Sequence, residues 1–307
     1  MKRTGFFYDD IFLKHETPQW HPESKERLNA IIAKVRATGL WDAVEHIAFQ
    51  KAGLSDIETV HDPEYVERVS NSPPGYLDPD TFFSAGTLDA SLFAAGSVME
   101  AVNQCRGGKI DRAFCAVRPP GHHAGAGRAM GFCIFNNIAV GARHAQKKGY
   151  GKVFIADFDV HHGNGTEDMF YEDDTVFYFS THQYPHYPGT GSISETGKGR
   201  GKGFTYNIPM HHGAGDREYE KAYNETLHKI VNDFDPDIIL VSAGYDLHKK
   251  DPLAGINVSN EGIKSIVNGI LTSGKDVPVI FSLEGGYDLQ ALGDSVVITI
   301  EQMMENM

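Results

Sequence analysis

The chain has 307 residues, 41% of them hydrophobic, enough apolar material for a large buried core in one α/β domain or two smaller ones. Asp and Glu number 41 against 28 Lys and Arg, a net charge of -13, which argues against a protein that tracks nucleic-acid phosphates and fits cationic or neutral partners, or plain solubility. No apolar run approaches membrane-spanning length, and the basic start Met1-Lys2-Arg3 meets Asp9 before any signal-length stretch.

Three cysteines, Cys105, Cys115 and Cys133, form no CxxC pair, and so sparse and odd a count predicts reduced, buried thiols in a cytoplasmic setting. With no low-complexity linker, charge block or repeat, residues 1–307 are expected to form a single domain.

In chain order, short apolar runs alternate with amphipathic stretches. The runs predict strands at 4–8, 112–117, 152–157, 175–180, 204–208, 237–242 and 278–282. Helices are expected near 23–38, 88–106, 136–148, 216–232, 260–273 and 288–305, with Asn136, Asp216 and Asp288 as amino-terminal caps. That alternation is the pattern of an α/β fold with a parallel sheet covered on both faces.

Four of these strands run at once into Gly-rich turns bearing ionisable residues: Arg118-Pro119-Pro120-Gly121-His122-His123, the stretch from Asp157 to Gly165, Ala243-Gly244-Tyr245-Asp246, and Leu283-Glu284-Gly285-Gly286-Tyr287. Parallel strands put their carboxyl ends on one edge, where open α/β sheets bind ligands, so the four turns are expected to converge. Asp157-Phe158-Asp159-Val160-His161-His162-Gly163-Asn164-Gly165 is the most telling of them. In extended chain, Asp157, Asp159 and His161 share one face while Phe158 and Val160 take the other, which makes a row of metal-competent side chains.

Each feature also has a bland reading. Asp246 could cap a following helix, Tyr287 could be a core aromatic with a satisfied hydroxyl, and His182, His186 and the His211-His212 pair could be exposed loop histidines. The bland readings weaken when four clusters fall at four equivalent positions of the fold.

Pro119-Pro120-Gly121-His122-His123, the Asp157-to-Gly165 stretch, Ser242-Ala243-Gly244-Tyr245-Asp246 and Glu284-Gly285-Gly286-Tyr287 together resemble the motifs of zinc-dependent histone deacetylases and of the related acetylpolyamine amidohydrolases. The resemblance extends from His21-Pro22-Glu23, through Arg27-Leu28, to the C-terminal helix. It implies the arginase/deacetylase fold: a single three-layer α/β/α domain on a mainly parallel sheet of about eight strands.

It also implies a set of roles. The zinc ligands would be Asp159, His161 and Asp246, a set of three that leaves a position open for water and substrate. Its carboxylate-rich chemistry also suits Fe(II) or Co(II). His123 would be the general base and later general acid, oriented by Asn164, while His122, paired with Asp157, would be the more cationic imidazole. Tyr287 would donate to the developing oxyanion. Gly131 and Phe132 would form one wall of an acyl-lysine tunnel and Tyr187, where the family usually has Phe, the other. Leu253 stands where the polyamine-specific eukaryotic member carries Glu, and Asn164 with Gly165-Thr166-Glu167 resembles the class II-like branch.

A structural potassium ion would use side chains of Asp157, Asp159 and Ser180 with backbone oxygens of His161 and Thr181. A second would use backbone groups at Phe170, Asp173, Val176 and Phe204. The implied activity is removal of acetyl or another short acyl group from the ε-amine of lysine in peptides or proteins. Acetylpolyamine hydrolysis is the alternative in the same class, and a non-catalytic acyl-lysine-binding module the alternative outside it. An arginase-like ureohydrolase would need two bridged metals and more carboxylates than these motifs supply.

Overall fold

All seven apolar runs form strands, in a computed structural model that describes residues 2–274 and 276–305. They are β1 (Thr4–Phe7), β5 (Arg112–Cys115), β6 (Val153–Asp157), β7 (Val176–Gln183), β8 (Thr205–Met210), β9 (Ile238–Ala243) and β10 (Val279–Leu283). An eighth strand, β2 (Glu45–His46), completes the sheet, and β3 (Gly75–Tyr76) and β4 (Phe82–Phe83) make a separate antiparallel ribbon. Two polar residues give β2 no apolar run to read, which is why the sequence does not announce it.

The order across the sheet is β2-β1-β5-β10-β9-β6-β7-β8, and all its pairings are parallel. From β6 the chain builds outward to the β8 edge, then returns through β9 and β10 to fill the gap beside β5. The four strands that carry the reactive turns are therefore the four central ones. Their ends are also level: Asp157 pairs with Ser242, Ser242 with Ser282, and Ser282 with Cys115. This common register puts the turns that follow on one rim.

The helix Glu26–Ala37 packs against Leu289–Met304, which packs against Asn260–Thr272, while Thr87–Arg106 packs against Asn137–Lys147. The central strands are buried throughout, so these two helical groups cover opposite faces and enclose an apolar core of three layers. Among the described residues, no helix is long and apolar enough to cross a membrane.

Asn136 and Asp288 cap their helices as the sequence predicts, accepting from the amides of Ala139 (3.0 Å) and Ala291 (2.8 Å). Asp216 does not. Gly215 takes the cap position, and Asp216 instead accepts from the amide (2.7 Å) and hydroxyl (2.6 Å) of Ser259, the cap of the helix Asn260–Thr272. The expected helix over 216–232 is interrupted at Ala222–Thr226 by a π-helical turn. That turn delivers the buried Tyr223 to the sheet, where its hydroxyl lies 2.9 Å from Thr181 Oγ1 and donates to the carbonyl of Asp157 at 3.3 Å. Side-chain periodicity carries no sign of such a bulge.

His61 fixes the loop that follows the His122-His123 pair. Its Nδ1 faces the carbonyl of Gly125 at 2.9 Å and its Nε2 accepts the amide of Asn136 at 2.9 Å. Burial pushes this imidazole down from its ordinary 6.5 to about 4. In the unfolded chain the ring takes up a proton near pH 6.5, before the folded one can, so acid favours unfolding from pH 6.5 down to about 4 and no further through this group. The shift corresponds to about 3 kcal/mol. The stability advantage of wild type over His61→Gln, measured by urea unfolding, is expected to shrink by that order between pH 7 and pH 4.

Candidate active site

β6 ends at Asp157, and the chain leaves the sheet still alternating: Phe158 and Val160 are fully buried in the core while Asp159 and His161 turn to the rim. The row divides by neighbour. Asp157 Oδ2 accepts from His122 Nδ1 and from the Tyr178 hydroxyl, each at 3.1 Å, and its Oδ1 accepts the amide of Asp159 at 3.1 Å. Asp159 and His161 instead meet Asp246, which arrives from the end of β9, and ligand atoms of the three lie within 4.8 Å of one another.

Asp246 is followed by a turn and caps no helix. Its Oδ1 accepts the amide of Val160 at 2.9 Å, whereas its Oδ2 is buried, lies 3.2 Å from His161 Nδ1, and has no aligned hydrogen-bond partner. A buried carboxylate oxygen so placed is a free ligand atom for a cation. The backbone clears the same space. A Cβ on Gly244 would stand 1.9 Å from Asp159 Oδ2, and one on Gly285 would stand 2.1 Å from Asp246 Oδ2. Burial lowers the His161 imidazole, but the carboxylates of Asp159 and Asp246 outweigh it and carry the ring up to about 10. Two buried carboxylates and one imidazole thus fit a divalent ion with oxygen and nitrogen preferences.

His122 and His123 follow β5 with ring centroids 4.0 Å apart and face different partners. His123 Nδ1 meets Asn164 Oδ1 at 2.8 Å. An amide oxygen only accepts, so Nδ1 carries the proton and Nε2 keeps its lone pair. Burial pushes both rings toward neutrality. At His122 the carboxylates of Asp159 and Asp157 reverse that and raise it to about 10, while at His123 the neighbouring His122 and His161 reinforce it, so its proton affinity falls well below the ordinary value. These surroundings favour the cation at His122 and the neutral base at His123.

Glu284, at the end of β10, holds the His122 turn from beneath by accepting the amides of Gly121 (2.6 Å) and His122 (3.2 Å). The next residues form an extended turn toward Tyr287. Arg27 grips it through the carbonyls of Glu284 and Gly286, and the guanidinium also lies 5.1 Å from the Tyr287 ring. Arg27 and Arg118 both reach the fully buried Glu23, which His15 also approaches at 3.3 Å. Removing one partner from such a buried ionic cluster costs about 3–5 kcal/mol.

A narrow cavity of ≈ 100 Å³ reaches this site, below the roughly 300–1,000 Å³ of drug-sized pockets. It admits a slender chain. Gly131, Phe132, Tyr187 and Leu253 all line it, as do His122, His123, His161 and Tyr287. Gly131 is required twice over: its φ is 56°, and a Cβ would stand 2.4 Å from the His123 ring. Phe132 is held at φ 69°, where a bulky side chain is strained, by the hydrogen bond its amide donates to Thr81 Oγ1 at 3.1 Å. Tyr187 presents its ring edge-on to His123 at 5.3 Å.

Ser180 and Thr181 lie on β7 beside Asp157, and Ser180 Oγ meets His182 Nδ1 at 2.9 Å. His182 is thus a buried core residue rather than an exposed loop histidine, and His186 is half-buried, stacked on His161 at 5.3 Å. His211 and His212 are exposed, as expected. Sequence reasoning missed Asp80, which lines the cavity from the loop between β3 and β4, and Tyr178, whose hydroxyl meets Asp157. No spacing rule links either to the motifs they serve.

The arrangement defines a three-layer α/β/α protein whose narrow cavity meets paired imidazoles beside a carboxylate–imidazole triad. Residues 21–303 match the family description "Histone deacetylase domain". The chain is 36% identical over 294 residues to a "Probable deacetylase" of Archaeoglobus fulgidus, covering 94% of this chain and 82% of that protein. It is 39% identical over 308 residues to "Histone deacetylase 14, chloroplastic" of Arabidopsis thaliana, covering 92% and 73%. The crystal structure of the HDA15 HD domain superimposes with a TM-score of 0.94 at 33% identity, over 98% of this chain and 88% of the other. The chain belongs to the histone deacetylase family and is a hydrolytic deacetylase on the family's α/β sheet.

Proposed function

We propose that the protein removes acetyl or another short acyl group from the ε-amine of lysine in peptides or proteins, with a divalent ion, zinc foremost, held by Asp159, His161 and Asp246. The observation that carries the reading is the narrow cavity lined by His123, His161 and Tyr287, with Asp159 and Asp246 gathered on His161. Bound there, the ion supplies Lewis acidity toward a water and the acyl carbonyl. Fe(II) or Co(II) suits the same donors.

The chain's own groups do the rest. His123 Nε2 accepts the proton of the attacking water and returns one to the leaving amine. His122, protonated and anchored on Asp157, offsets the negative charge of the tetrahedral intermediate. The Tyr287 hydroxyl donates to its oxyanion. The walls Gly131, Phe132, Tyr187 and Leu253 align the acyl-lysine side chain and exclude bulk water.

The apolar Leu253 at the rim offers no carboxylate to a distal ammonium, which favours acyl-lysine over acetylpolyamine. A potassium ion would sit beneath, at Asp157, Asp159, His161, Ser180 and Thr181, where β6 and β7 run level. Three free, buried cysteines suit a reducing, cytoplasmic setting. Zinc-loaded protein is expected to release acetate from acetyl-lysine peptides faster than from acetylspermidine. No acetate from either sinks the proposal, and a polyamine preference above about tenfold reverses the substrate order.

A further inference from the structure

We infer that Asp251 is a positioning residue for Tyr287, the strut that fixes where its hydroxyl stands. Asp251 lies in the turn after β9, five positions beyond Asp246, and is only 9% exposed. Its Oδ2 accepts the amide of Tyr287 at 2.7 Å and its Oδ1 the amide of Leu253 at 3.0 Å. One carboxylate thus joins the backbones of two residues that line the cavity, Tyr287 and Leu253.

The need for a strut is local. Residues 284–288 have no regular secondary structure, and Gly286 takes φ 120°, so no helical or sheet ladder sets the Tyr287 Cα. The other backbone ties on this segment act on the tyrosine's neighbours: Asp159 Oδ2 on the amide of Gly285 (2.8 Å), the Tyr245 amide on the Gly285 carbonyl (3.0 Å), Arg27 on two carbonyls, and, past the tyrosine, Asp288 as the cap of the following helix. Among these, Asp251 alone hydrogen-bonds the Tyr287 backbone. An oxyanion donor acts only where the charge develops, and a displacement of about 1 Å can cost on the order of a hundredfold in rate.

The inference rests on the oxyanion role proposed for Tyr287, and a double-mutant cycle with an independent structural arm tests it. Asp251→Ala is expected to lower kcat about tenfold or more while KM moves less than about twofold. In a Tyr287→Phe background the same change should alter kcat by less than about twofold, because no hydroxyl remains to be placed. Asp251→Asn keeps one acceptor and should fall between wild type and Asp251→Ala, which guards against an alanine variant that folds poorly. In the metal-free protein, amide exchange at Tyr287 should accelerate about tenfold or more in Asp251→Ala while β10 stays protected. Equal losses of kcat in both backgrounds, or a Tyr287 amide that exchanges as in wild type, overturn the inference. A wild-type protein with no turnover overturns the catalytic role alone, and the exchange result still decides whether Asp251 is the strut.

Discussion

Asp246→Ala is expected to yield a folded protein that binds no divalent ion and has lost at least about a thousandfold in turnover, the equivalent of the several kcal/mol that Lewis-acid assistance supplies. The carboxylate has two oxygens with separate duties. Oδ1 holds the amide of Val160 at 2.9 Å, and Oδ2 is buried without an aligned partner beside His161. Losing the first leaves one buried amide unpaired, a cost of about 1–3 kcal/mol. Losing the second removes a carboxylate that burial and the neighbouring Asp159 both disfavour in its charged form. The two effects oppose each other, so thermal stability of the metal-free protein should change little while metal content, read by elemental analysis, falls to zero.

Gly285→Ala makes the complementary test, because it deletes no ligand. Its backbone is not in the left-handed region, and the residue is glycine for room: a Cβ would come within 2.1 Å of Asp246 Oδ2 and 2.7 Å of Asp159 Oδ2. Loss of metal in this variant would show that the wedge between the two carboxylates is the ion's place. A full equivalent of zinc retained in both variants would rule out the triad as the metal site.

How much of this site can be read from the sequence follows from the range over which each constraint acts. Alternation with period two is local, so the row Asp157, Asp159 and His161 and its position at a strand end were legible. So were seven strands and the caps at Asn136 and Asp288, each set by a few adjacent residues. The division of that row was less so, because whether a carboxylate binds an ion or an imidazole depends on what arrives from β5 and β9. Family resemblance supplied that pairing, and the geometry places His122 on Asp157 and His123 on Asn164.

Asp216 shows the opposite failure. Its side chain suits a cap, but Ser259, some forty residues on, offers it two donors, and Gly215 with Glu218 closes the helix instead. Asp80, Asp251, Tyr178 and Glu23 act across loops or strands and leave no periodic trace. Buried polar groups must all find partners, yet the partner is fixed by the fold and not by sequence distance.

Tyr287→Phe should separate chemistry from metal binding. The ring is held independently of its hydroxyl, by Phe132 edge-on at 6.1 Å and by the Arg27 guanidinium at 5.1 Å, so the phenylalanine should occupy the same place. Burial, reinforced by Asp246, pushes the phenol well above its ordinary value, which favours the protonated donor near neutral pH. The variant is therefore expected to keep one equivalent of metal, a near-normal KM and the wild-type shape of its pH profile. Its kcat should fall about 10²–10³-fold, the loss of a single preorganised oxyanion donor. A tyrosine that only packed the wall would give a fall below about threefold, since the lost hydroxyl would then touch nothing that changes charge during the reaction.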